Sequence, residues 1–408
     1  MSHISRSLAV AGCAGVSLVI CLPAARAEVP RTLNAQPAHP PRVCQLEEIW
    51  RVGGESTDLF FGAVTEATTD SLGNVYLLDT QRLQVVVISP EGRFVRTLSR
   101  EGEGPGEVQN PRDIQILSDG TLGILELFPA KIVRLTPDGE PRGTLVVGAG
   151  GDPQSGGFTA ASSFICRGGT ILMGATRTTQ DENGQKRLHY LAALDPAGAE
   201  TVRFREQAMA LDFRDLCFVE RELGPPFAGV NTLGPDGRVY AAQDWDRYAI
   251  EVYRPEGSLE RVIEREFENR KRTEIELRRI NALFDASDRN IPVKVTRKIE
   301  PRPQVISALH VTDDGTLWVL HSRSIENRPA GVMQSYDTFD AAGRYLGVVA
   351  MACEGDPEAD GLELLPDGRV LLIKEYALSA MGRTDLGSVP LGEEASGAIE
   401  IVCFRPVS

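Results

Sequence analysis

Three carboxylates stand at matching points of a repeated pattern in this chain. Glu66 and Asp113 each lie seven residues ahead of a turn glycine, Gly73 and Gly120, and Asp360 lies eight ahead of Gly368. Asn231 holds a comparable place before Gly237. Hard cations take several oxygen ligands, so these groups gathered at one point would suit a calcium-like divalent ion. Acids at a wet rim also occur without any ligand, and a one-residue change of strand register would turn the same side chains away.

Histidine chemistry is thinner. Apart from His3 the histidines are His39, His189, His310 and His321, and His39 falls in a proline-rich stretch. Catalytic zinc usually has three protein ligands. Only His310 is expected on a strand reaching the molecular centre, with His321 at the end of the next strand. No Gly-x-Ser-x-Gly elbow and no Cys-x-x-Cys occurs. Gly102-Glu103-Gly104-Pro105-Gly106 has the glycines of a phosphate loop, but acids flank it and no crossover helix is expected to follow. Asp244-Trp245-Asp246-Arg247-Tyr248 mixes aromatic and charged groups in a connection. Its Trp245, Arg247 and Tyr248 form the best candidate recognition patch, while Trp50 and Trp318 read as packing residues.

The elements that must position these groups come from a repeat. A first turn recurs as Ser71-Leu72-Gly73, Ser118-Asp119-Gly120, Arg167-Gly168-Gly169, Pro235-Asp236-Gly237, Asp313-Asp314-Gly315 and Pro366-Asp367-Gly368, each followed by an apolar strand. Tight hairpin turns need positive φ, which glycine supplies cheaply. A second turn recurs as Pro90-Glu91-Gly92, Pro137-Asp138-Gly139, Pro196-Ala197-Gly198, Pro255-Glu256-Gly257 and Ala341-Ala342-Gly343. Successive first-turn glycines lie about 47, 49, 68, 78 and 53 residues apart, the period of a four-stranded propeller blade plus insertions.

The expectation is an all-β, six-bladed β-propeller with four-stranded blades. Its last repeat lacks a fourth strand, which residues 43–52 supply from the other end of the chain, removing the exposed edges of an open ring. That closure places Cys44 and Cys403 on neighbouring strands and makes their disulfide the favoured pairing; Cys166 with Cys217 is a second choice. Cys353 completes an odd set of five beyond residue 27.

Residues 1–27 read as a signal peptide, with Arg6, an apolar run and Ala25-Arg26-Ala27 as the cleavage site. Lipobox-like alternatives end at Cys13 and Cys21. Residues 28–42 read as a flexible lead-in and 43–408 as one propeller. Loss of Arg6 and Arg26 would take the net charge from −14 to −16, which argues against nucleic-acid and membrane-surface partners. No segment is apolar enough to span a membrane. An exported monomer, periplasmic or extracellular, is expected.

The phrase Gly73-Asn74-Val75-Tyr76-Leu77-Leu78-Asp79, with Glu91-Gly92, Gly102-Glu103-Gly104-Pro105-Gly106-Glu107 and Asn110-Pro111, resembles the NHL-type six-bladed propellers of bacterial exported proteins. The likeness is sharpest over the first two repeats. The absence of a convincing catalytic constellation favours a binding module; the alternative that the resemblance brings is a metal-dependent hydrolase or lyase of lactonase-like or amidating-lyase-like kind at the channel mouth. In the first case no cofactor is needed; in the second a calcium-like cation is.

Extra residues collect at 176–187, 322–331, 376–397 and 264–303. In an up-and-down ring all four fall on one face, and one-sided insertions mark a binding face for a protein or small molecule. The longest, 264–303, carries a helix. Thr273 and Glu276 form a capping box, and Ile275, Ile280, Leu283 and Phe284 share a side. That helix is either a lid over the channel or an ornament on a blade edge.

Overall fold

The computed structural model describes residues 29–55, 59–148, 157–223, 230–288, 294–376 and 399–407. The expected signal peptide lies outside them, as does most of the last insertion. The fold is all-β and propeller-like, with two helices among the described residues.

The chain opens with β1 (Arg31–Asn34) and β2 (Arg42–Gly53), then builds antiparallel four-stranded sheets in succession. The first holds β3 (Val64–Thr69), β4 (Val75–Asp79), β5 (Gln84–Ile88) and β6 (Phe94–Leu98). The second holds β7 (Pro111–Ile116), β8 (Leu122–Glu126), β9 (Lys131–Leu135) and β10 (Pro141–Val146). The third, with longer strands, holds β11 (Gly157–Arg167), β12 (Thr170–Gln180), β13 (Gly184–Leu194) and β14 (Glu200–Asp212). After β15 (Cys217–Val219) and α1 (Glu220–Leu223) comes a sheet of β16 (Asn231–Leu233), β17 (Val239–Ala241), β18 (Ala249–Tyr253) and β19 (Leu259–Arg265), with β1 added at its edge.

Between β19 and the next sheet lie α2 (Glu274–Asp288) and β20 (Thr296–Lys298). The remaining strands form one eight-stranded sheet. It contains β21 (Ile306–Val311), β22 (Leu317–His321), β23 (Val332–Phe339) and β24 (Tyr345–Ala352), then β2, then β27 (Glu400–Val407), β26 (Val370–Ile373) and β25 (Gly361–Leu364).

The first strands β3, β7, β11, β16 and β21 pack beside one another in that order. The core is a series of layers between sheets. Because successive side chains point to opposite faces, one strand feeds two layers. Val75 and Leu77 pack with Leu371, Ile373 and Ile401 from the end of the chain, while Tyr76 and Leu78 pack with Ile114, Leu122 and Ile124. Similar layers join the second sheet to the third and the third to the fourth. Others join β17–β19 to β22 and β23, and Met333 to Val370, Leu372 and Val402. A sheet buried on both faces reads as a continuous apolar run, as in Val75-Tyr76-Leu77-Leu78.

The N-terminal closure forms as expected, with β2 antiparallel to β27 from Gln45↔Val407 to Gly53↔Glu400. Trp50 of β2 also packs on the second turn of the first sheet. A Cβ on Gly92, whose φ is +81°, would lie 2.5 Å from the Trp50 Cβ. Two features differ from expectation. Part of the expected lead-in is ordered as a strand: β1, Arg31–Asn34, pairs in parallel with β19. At its end Asn34 donates from Nδ2 to Gly343 O at 3.0 Å and accepts the Tyr345 amide at 2.9 Å. The start of β2 then pairs in parallel with β24. One strap therefore crosses the outer strands of three successive strand groups.

The disulfides are the second correction. Cys44, Cys166, Cys217, Cys353 and Cys403 are all free thiols. Cys44 and Cys403 do sit on paired strands, but Cys403 faces Trp50 and Cys44 faces Met351 of β24. That register separates them by roughly 20 Å along the strands, well beyond the reach of a disulfide.

Candidate functional site

The extra residues of the third repeat are not a loop; they lengthen β12 and β13 into a ladder running from Ile171↔Leu194 to Gln180↔Gln185. Near the end of this extension on β14, Leu211 joins Leu216, Phe218 and Phe284 in a separate apolar cluster, with Ile280, Val295 and Ile299 against it. Ile280 and Phe284 of α2 are thus covered by the third sheet's tip and by β15, whereas Ile275, expected on the same side, is exposed. The capping box is formed: Thr273 Oγ1 accepts the Glu276 amide at 3.2 Å, and Glu276 Oε2 accepts the Thr273 amide at 2.7 Å.

The segment before α2 is tied to the eight-stranded sheet. Asn269 donates from Nδ2 to Pro303 O at 2.6 Å, and its Oδ1 accepts the Ser322 hydroxyl at 2.7 Å. Both ends of the helix are therefore anchored, which does not suit a free lid. β15 and β20 pair in parallel and draw the two inserted stretches together. Arg272 grips Glu220 with two hydrogen bonds, at 2.7 and 2.5 Å, and both side chains are largely buried. A planar guanidinium meeting a carboxylate in this forked manner fixes orientation as well as distance. Arg221 extends the network to Glu300 at 2.6 Å and Asp246 at 3.1 Å.

The expected recognition patch is partly absorbed by this cap. Trp245 donates from its indole nitrogen to Arg302 O at 3.1 Å, and the guanidinium carbons of Arg221 and Arg272 lie 5.7 and 5.9 Å from its ring. Arg247 is exposed and pairs with Glu264. Tyr248 is buried and donates its hydroxyl to Asp337 Oδ2 at 2.9 Å, so it is a core residue.

The expected cation ligands are dispersed in their roles. Asp113 Oδ2 accepts the Phe164 amide at 2.8 Å and so ties β7 to β11. Asp360 accepts from Lys374 Nζ at 2.9 Å, from the Asp356 amide at 2.9 Å and from the Glu375 amide at 3.1 Å. Glu66 lies opposite Leu78 just after a bulge in β3, and Asn231 opens β16 opposite Ala241, buried. Among the described residues no three His, Cys, Asp or Glu side chains form a group that could hold a metal ion. His310 faces Trp318 across β21 and β22; burial, aided by Arg167, pushes its pKa down to about 4. It is neutral near pH 7.

Sequence reasoning missed Asp337. It is fully buried and accepts hydrogen bonds from Tyr248, Tyr345 and Arg265, with His321 Nε2 at 3.4 Å. Its signal was an acid inside the otherwise apolar and aromatic third strand Tyr336-Asp337-Thr338-Phe339.

No family model and no curated protein matches the chain. Solved structures it is similar to are β-propeller proteins. A Bacteroides vulgatus protein of the DUF4221 family has 8% identity, with 90% of this chain and 99% of that one covered, at a TM-score of 0.48. An exported protein of Bacteroides fragilis has 11% identity, coverage of 93% and 100%, and a TM-score of 0.43. Virginiamycin B lyase from Staphylococcus aureus has 12% identity, coverage of 80% and 81%, and a TM-score of 0.37. No site residue is transferred from any of them. Among the described residues no helix is long and apolar enough to cross a membrane.

Proposed function

We propose that this chain is an exported, NHL-like six-bladed propeller that serves as a binding module, engaging a partner through the end that carries its insertions. The count of six takes the eight-stranded sheet as two four-stranded blades joined edge to edge, β21–β24 and β25, β26, β27 with β2. One observation carries the functional reading. The insertions between β14 and β16 and between β19 and β21 share an apolar cluster and the Arg272–Glu220 pair, so they form one built cap. Loops that drift freely have no reason to share a core. A preorganised surface loses less conformational entropy on binding than a mobile one, which favours recognition.

Photo-crosslinking in the native host tests the reading. A photoreactive residue at Ile275 or Arg247, on the cap end, is expected to trap a discrete partner. The same residue at Asp119 or Asp314, in first turns at the other end, is expected to trap none. Crosslinks from both ends alike, or from neither, would overturn the proposal.

A further inference from the structure

Beside the cap lies a groove, and its chemistry points to a class of partner. Two cavities of about 580 and 320 Å³ share Ile325 and Pro357 in their walls. They lie between the connection after β22, the connection after β24 and the first turns of α2. We infer that this groove takes an extended, lysine- or arginine-bearing segment of a partner protein, an inference that rests on the role proposed for this face.

The guanidinium groups at the groove already have partners. Arg328 donates from Nη1 to Val332 O at 2.6 Å and to Met333 O at 2.9 Å, and Arg270 is held by Glu276. Arg279 donates from Nη1 to the Glu358 carbonyl at 2.8 Å. Glu354 and Glu358, by contrast, are exposed at the rim. The walls of the two cavities carry four carboxylates, Glu276, Glu326, Glu354 and Glu358, against three guanidinium groups, Arg270, Arg279 and Arg328, so the balance offered to an incoming group is negative, on a chain that is itself strongly acidic. The shared walls are apolar, Ile325 and Pro357, with Ile275 beside them. Lysine and arginine lay aliphatic stems on such surface while their charged heads reach the rim. Two cavities side by side suit successive side chains of an extended chain better than one compact molecule.

The test uses the full chain and a fluorescein-labelled alternating Lys-Ala peptide, its fully Lys-acetylated form, and spermine as competitor. The basic peptide is expected to bind, with acetylation weakening it by about tenfold or more. E354Q/E358Q should weaken it by about tenfold while leaving the melting temperature unchanged, since both side chains are exposed. The thiol of Cys353 lies in the groove wall, so bound peptide should slow its alkylation and leave Cys44 unaffected. Equal binding of the acetylated peptide, full binding by E354Q/E358Q, or an unprotected Cys353 would each overturn the inference. So would spermine binding as tightly as the peptide, which would mark a polyamine site. If the peptide fails while crosslinks still come only from the cap end, the groove chemistry falls and the role of the face stands.

Discussion

Tyr248 and Asp337 meet across the boundary between two sheets, the tyrosine hydroxyl donating to Asp337 Oδ2 at 2.9 Å with both residues buried. Tyr345 donates to the other oxygen at 2.8 Å, and Arg265 of β19 reaches the same carboxylate. Glu251 occupies the corresponding place on β18, accepting from Tyr253 at 2.7 Å and from Arg205 of β14. Adjoining boundaries thus use one device: an acid on a third strand, a tyrosine, and an arginine from the preceding sheet. A buried charge persists only where such partners satisfy it.

Removing Asp337 should be severe. Asp337→Ala leaves Arg265 and two hydroxyls without their acceptor, at a cost of about 3 kcal/mol or more. Tyr248→Phe removes one hydrogen bond and should cost about 1 kcal/mol. Urea unfolding of the two variants checks the order, and equal losses would refute it.

Acid should weaken the fold in two steps. Burial lowers the pKa of both His189 and His310 to about 4, so each is neutral in the folded chain and protonates more readily when unfolded. Their contribution is complete above about pH 6.5 and declines as pH falls towards 4. For Asp337 burial acts upward, but His321, Arg265 and the Tyr345 hydroxyl outweigh it and hold the pKa below the usual carboxylate range. Its contribution is present above about pH 4 and is lost as pH falls further, through the depressed folded value. Urea midpoints measured against pH should fall first through the histidine window, and H310N should flatten that part.

The strap makes the outer strands testable. Asn34→Ala removes the bonds to Gly343 and Tyr345, and a loss of about 1–2 kcal/mol is expected. Hydrogen exchange should quicken along β19 and β24 with little change in β7–β10. Uniform quickening would mean that the strap acts through global stability alone.

Arg272→Met should loosen the cap without opening the ring. Exchange is expected to rise at 217–220 and 296–300, while the β3–β6 amides stay protected. If binding at the cap end survives this change undiminished, preorganisation is not what the cap provides.

Calcium should leave the melting temperature unmoved, because Asp360 is held by Lys374 and two amides and Asp113 by the Phe164 amide. A clear upward shift with bound calcium would revive the hydrolase or lyase alternative.

The amino-acid sequence by itself determined the local pattern. Turn glycines such as Gly73, at φ +80°, and alternation such as Val75-Tyr76-Leu77-Leu78 predict hairpins and sheets buried on both faces, since φ and side-chain period are local properties. The closing strand β2 and the helix α2 were legible for the same reason: a repeat phrase and a capping box lie within a few residues. The tertiary structure alone decided what depends on register and on partners far along the chain. It set Cys403 against Trp50 and out of reach of Cys44, paired β1 with β19 more than two hundred residues away, and gave Asp360 to Lys374. It also buried Tyr248 against Asp337, a partner 89 residues on. A shift of one residue in pairing reverses which face a side chain occupies, and no spacing along the chain records that choice.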